Sequence, residues 1–161
     1  MNIFPTKKLY FKLHDTQTKT LDQLQRRTKK SEKLVTYYTD KSFIGTIKGN
    51  NFHLISSTIG KGAFCVMKGK IDANKGYVHV EIHKAFRILI TIMICLIPIG
   101  LSIVFFTDKE QFSFLLIIVA IIQILIIRFI AVELAFKFLS RNSLQRLRDV
   151  LDADWIRQNE Y

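Results

Sequence analysis

Two stretches of the chain carry no charged residue: Ile88 to Phe106, a run of 19, and Phe112 to Ile127, a run of 16. At about 1.5 Å rise per residue the first covers about 28 Å, close to the roughly 30 Å hydrocarbon core of a bilayer. The second reaches only about 24 Å. It spans if it continues past Arg128 through Phe129, Ile130, Ala131 and Val132, with Arg128 snorkelling to the headgroups. Helices apolar on every side need lipid or a large surrounding protein, and a chain of 161 residues does not supply the latter. The pattern predicts a transmembrane hairpin over 84–136, with spans at about 87–106 and 112–132.

Ahead of the hairpin the period changes to two. Gly49-Asn50-Asn51, Gly60-Lys61-Gly62 and Asp72-Ala73-Asn74-Lys75-Gly76 punctuate four strand-like runs, 42–48, 52–57, 63–71 and 77–83. In the last run Val78, Val80 and Ile82 face one side while Tyr77, His79, Glu81 and His83 face the other. A small antiparallel β-meander is therefore expected over 42–83, and Lys84-Ala85-Phe86-Arg87 leads it into the first span with no room for a flexible linker. Residues 1–41 read as a basic lead-in, with weak helical spacing at Leu21, Leu24 and Val35. After the hairpin Leu144, Leu147, Leu151 and Trp155 recur at helical spacing, so 137–161 reads as an amphipathic helix. Ser140, Asn142 and Ser143 are expected to break it from the second span, and its apolar stripe to cover the greasy face of the sheet. The fold class expected is an α+β membrane protein: a meander, a two-helix transmembrane hairpin and a C-terminal amphipathic helix.

Charge sets the orientation. Residues 1–87 hold 17 Lys or Arg against 6 Asp or Glu, whereas the connection Thr107 to Gln111 holds Lys109 between Asp108 and Glu110. The opening residues Met-Asn-Ile-Phe-Pro-Thr-Lys-Lys contain no early apolar stretch, so no export signal is expected there. Positive-inside bias then places both termini in the cytoplasm, with the hairpin in the plasma (bacterial inner) membrane. Arg26, Arg27, Lys29, Lys30, Arg87 and Arg128 are the expected contacts to anionic headgroups, each Lys or Arg near such a surface contributing about 1 kcal/mol. Pro98, with Gly100 nearby, removes one hydrogen bond of the first span and frees the carbonyl of Ile94, a candidate hinge.

Candidate chemistry is sparse. His79-x-Glu81-x-His83 would set three metal-competent groups in a row, but at about 7 Å apart on a strand they are too widely spaced to share one ion, so no metal and no cofactor are expected. Cys65 and Cys95 read as free thiols. There is no nucleophile elbow, no Walker loop and no suggestive carboxylate pair, so no enzymatic activity is expected. His53, Lys61, Lys68, Lys70, His79 and His83 are the candidate contacts to an anionic ligand. The partners considered are the anionic bilayer, a second copy through the hairpin, and a nucleotide or a protein. Nucleic acid is disfavoured, because no recognition signature is present.

The function expected is that of a non-enzymatic adaptor or sensor, its basic cytoplasmic domain binding a partner or anionic ligand. One alternative is a membrane-permeabilising effector gated by a cytoplasmic signal such as a nucleotide. Another is a metal-dependent membrane enzyme using the strand of His79, Glu81 and His83.

Overall fold

A computed structural model describes residues 4–60, 62–107 and 114–156. The chain divides into two units, Met1–His83 with Phe136–Tyr161, and Lys84–Ala135. The first is α+β. Its sheet has seven strands: β1 (Thr6–Leu13), β2 (Thr28–Lys30), β3 (Phe43–Lys48), β4 (Asn51–Ser56), β5 (Cys65–Asp72), β6 (Lys75–Ile82) and β7 (Ala153–Ile156), in the spatial order β2-β3-β4-β5-β6-β1-β7. Every neighbouring pair is antiparallel except β2 with β3.

The four expected strands are β3 to β6, each within about two residues of its anticipated limits. The sheet is larger than a four-stranded meander, because the lead-in and the C-terminal segment both contribute to it. In β1, Leu9, Phe11 and Leu13 alternate with Lys8, Tyr10 and Lys12, and the lysines disguise a strand as a polar tail. Helix α1 (Gln17–Arg27) follows, then β2. At the other end Asp152 turns the chain with a φ of 48°, a left-handed conformation that stops a helix and that Asp tolerates better than most residues. Ala153–Ile156 then pairs with β1. Trp155 thus lies on an edge strand and not on the helical stripe, its ring edge-on to Phe11 at 6.1 Å.

Period-two alternation gives the sheet one apolar face, with Phe11, Leu13, Phe43, Leu54, Met67, Ile71, Val78, Val80 and Ile82 all buried. Leu24 of α1 and Leu144, Leu147 and Leu151 of α4 (Val132–Leu151) supply its cover. Gln17 Nε2 also donates to the Ile71 carbonyl at 2.9 Å, tying the start of α1 to β5. Fully burying a leucine side chain contributes about 1.5–3 kcal/mol, so these four residues are a large part of what holds the layers together. Two glycines shape the sheet beneath. Gly69 pairs with Phe52 and Gly76 with Phe11, and each phenylalanine ring lies where the glycine's Cβ would be.

The second unit holds two apolar helical segments. Helix α2 (Lys84–Thr107) has a mean hydropathy of 2.8 over its most apolar window, none of which is buried. It runs unbroken through Pro98 and Gly100, and the Ser102 hydroxyl donates to the Pro98 carbonyl at 2.8 Å. Helix α3 (Phe114–Leu125) continues through a widened π turn, Ile126–Ala131, into α4, so the helix is continuous from Phe114 to Leu151. Its apolar window has a mean hydropathy of 3.0 and is 11% buried. Both helices are long and apolar enough to cross a membrane. The expected break at Ser140, Asn142 and Ser143 is absent. Ser140 instead donates back to the Lys137 carbonyl at 3.4 Å, a bond that leaves a helix intact.

Gly76→Ala is predicted to lower the stability of the sheet unit by about 1–3 kcal/mol, because its Cβ would collide with the Phe11 ring and the Lys70 carbonyl. Gly100→Ala, with open space around it, should stay within about 0.5 kcal/mol. Thermal unfolding followed by Trp155 fluorescence measures both. Equal midpoints for the two variants would show that the ring-over-glycine packing is immaterial.

Candidate functional site

The same alternation that builds the core sends a second set of side chains to the opposite face. Lys8, Tyr10 and Lys12 of β1 stand beside Lys75, Tyr77, His79 and Glu81 of β6, with Lys68 and Lys70 of β5, Asn51 and His53 of β4 and Lys48 of β3 further across. Part of this face is covered: Ile44, Ile55 and Val66 form a buried cluster packed against Leu34 and Ala63. The rest is open. Its lysines outnumber its acids, because six (Lys8, Lys12, Lys48, Lys68, Lys70, Lys75) share it with Asp72, Glu81 and Asp154.

Lys68 pairs with Glu81 at 2.5 Å and Lys70 with Asp72 at 2.9 Å, while Asp154 takes His14 at 2.9 Å. Among the described residues Lys12 and Lys48 hold no acid, and both are exposed. Lys8 lies over two aromatic rings, its Nζ 5.1 Å from the centre of Tyr10 and 5.0 Å from that of Tyr77. Such contacts hold an ammonium group against the ring faces. A shallow hollow of about 510 Å³ opens here, lined by Lys8, Asn51, Lys68, Tyr77 and His79. Burial pushes His53 below the ordinary imidazole range; Lys68 lowers it further and Glu81 opposes.

Of the candidate ligand contacts, His53, Lys68, Lys70 and His79 thus share one face, and His83 follows directly on the end of β6. Lys61 lies outside the described residues. Among the described residues no three His, Cys, Asp or Glu side chains are placed to hold one metal ion. The cations expected at a membrane surface fall into separate groups. Arg26 and Arg27 end α1, Lys29 and Lys30 lie on β2, Arg87 is in the first turn of α2, and Arg128 sits in the π turn with its guanidinium 5.4 Å from the Phe129 ring. Cys65 is fully buried, and burial pushes its thiol up to about 12, leaving it un-ionised and a poor nucleophile. Cys95 is exposed on α2.

Lys8, Lys12, Tyr10 and Asn51 were not anticipated. The first three stand on a strand whose alternation of Leu9, Phe11 and Leu13 could have revealed it. No family model matches this chain, and no curated protein or solved structure is similar to it.

His53 gives the unit a pH dependence whose sign is fixed. Its folded pKa lies below the ordinary 6.5, so as pH falls through 6.5 the unfolded chain takes up a proton that the folded chain refuses. Stability should therefore decline as pH drops below 6.5, the loss ending once the folded value is passed. His53→Gln should flatten that part of the curve, measured as the unfolding midpoint between pH 7.5 and 5. An unchanged slope would remove His53 from the account.

Proposed function

We propose that the chain is a non-enzymatic two-span membrane protein. In this reading α2 and α3 anchor it, and the open lysine-rich face of the sheet docks an acidic segment of a partner protein on the cytoplasmic side. The exposed apolar surface of the helical unit supports the anchor. Leu96 is 57% exposed, Ile103 61%, Phe106 77% and Leu115 66%. In water such surface is unfavourable by about 25 cal/mol per Å², and hydrocarbon removes that penalty. Positive-inside bias supports a cytoplasmic sheet, since residues 1–87 carry 17 Lys or Arg against 6 acids.

The single observation that carries the docking role is the open part of this face: broad and excess in lysine, with Lys12 and Lys48 unpaired among the described residues and Lys8 held over two tyrosines. Lysines spread across a nearly flat sheet suit an extended acidic surface better than an enclosed small molecule. Complementary charge of this kind speeds encounter and sets partner choice more than it adds affinity. Tyrosine beside it supplies rigid contact area at little entropic cost.

The test uses the full chain in neutral phosphatidylcholine nanodiscs and a fluorescent polyglutamate peptide. Binding is expected at ionic strength about 0.01 M and to weaken sharply by about 0.15 M, where the screening length falls from about 30 to about 8 Å. The double variant Lys8→Glu, Lys12→Glu should bind at least about ten-fold more weakly, the equivalent of about 1.4 kcal/mol. Binding indifferent to salt and to this charge reversal would sink the reading.

A further inference from the structure

On the opposite, helix-covered side of the sheet a second set of cations is gathered. Arg26 and Arg27 from the end of α1 and Arg146 from α4 line one groove of about 710 Å³, within the size range of small-molecule sites. Arg26 is paired with Asp22 at 2.9 Å, and Asp149, which also lines the groove, faces Arg148 at 3.5 Å. Arg27 and Arg146 make no ion pair among the described residues. Asp152 lines the groove as well, so three arginines face two carboxylates there, and the excess of positive charge favours an anion set between Arg27 and Arg146.

A hollow of about 370 Å³ adjoins this groove and shares Arg146 and Asp149 with it. Its chemistry differs, because Ser56, Thr58, Asn142, Ser143 and Gln145 line it with hydroxyls and amides. The Ser56 and Thr58 hydroxyls lie 3.1 Å apart. Ser143 is only 5% exposed, lines the hollow, and makes no side-chain hydrogen bond within the protein among the described residues. Its hydroxyl is not sealed from solvent and can donate to or accept from a ligand in the hollow.

We propose that these two adjoining cavities form one site for a phosphorylated polyol. Its phosphate would lie on Arg27 and Arg146, with Arg26 beside them, and its hydroxyls on Ser143, Ser56 and Asn142. Arginine forks match tetrahedral phosphate oxygens, and neutral hydroxyls and amides match a polyol. The same chemistry is offered by a free phosphate ester and by the headgroup of a glycerophospholipid. The site lies across the sheet from the lysine face and does not rest on the docking role assigned to that face.

The probes are sn-glycerol 3-phosphate, glycerol alone, and nanodiscs of phosphatidylcholine or phosphatidylglycerol. The full chain in phosphatidylcholine should show a raised unfolding midpoint with glycerol 3-phosphate and none with glycerol. Arg146→Gln should weaken that binding about ten-fold, the value of one charge-assisted hydrogen bond. Ser143→Ala should weaken it less, and Lys8→Gln not at all. A rise that appears only in phosphatidylglycerol, and is lost in Arg146→Gln, assigns the same site to a lipid headgroup. Arg146 is exposed, so its variant keeps the unliganded midpoint and the comparison stays valid. The proposal is overturned if neither the ester nor phosphatidylglycerol raises the midpoint, if Arg146→Gln responds as the parent does, or if Lys8→Gln loses the effect equally.

Discussion

Burial of Leu144, Leu147 and Leu151 in the sheet unit is the interaction on which the remaining architecture depends. These side chains are 3%, 0% and 0% exposed, and they help seal an apolar face that α1, contributing Leu24, cannot cover alone. The helix that carries them is encoded after α2 and α3, so the sheet unit is completed only by residues that follow both apolar segments. His83 alone separates β6 from α2, and on return the helix continues unbroken into α4. Both ends of the hairpin therefore belong to one folded body. If α2 and α3 cross a bilayer, that body and both ends lie on the same side of it.

Much of this was legible from the residues. The uncharged runs are the α2 and α3 segments, the turn clusters separate β3 to β6, and the stripe at Leu144, Leu147 and Leu151 is the buried face of α4. What escaped sequence reading was long-range. A polar-looking strand such as β1 becomes recognisable once β6 and β7 flank it, since its lysines point away from the core. The end of α4 carries no glycine, and Asp152 takes the left-handed conformation usually left to one, so β7 was hidden inside an apparent helix. Trp155, read as helical by spacing, was drawn to Phe11 by tertiary packing.

The functional residues divided in the same way. His53, Lys68, Lys70 and His79 could be grouped from strand periodicity alone. Their neighbours Lys8 and Lys12 required the pairing of β1 with β6. Arg146 and Ser143 were read only as parts of a surface helix and its break; they share a hollow with Ser56 and Thr58, and Arg146 meets Arg26 and Arg27 in the adjoining groove because α1 and α4 lie on the same side of the sheet. The two cationic sets suit different chemistry. In the two readings proposed above, lysines dispersed over an open face take a broad acidic surface, and the groove arginines, with Ser143 in the adjoining hollow, take one compact anion.

In the reading proposed above the hairpin crosses a membrane with both ends returned to one cytoplasmic body, and cysteine accessibility tests that reading most directly. In a background with Cys65→Ser and Cys95→Ser, single substitutions Lys109→Cys, Lys12→Cys and Arg148→Cys would be treated in intact cells with a membrane-impermeant maleimide. The account predicts labelling of Lys109→Cys from outside, with Lys12→Cys and Arg148→Cys labelled only after permeabilisation. Labelling of all three without permeabilisation, protection of all three, or recovery of the protein in the soluble fraction would contradict it.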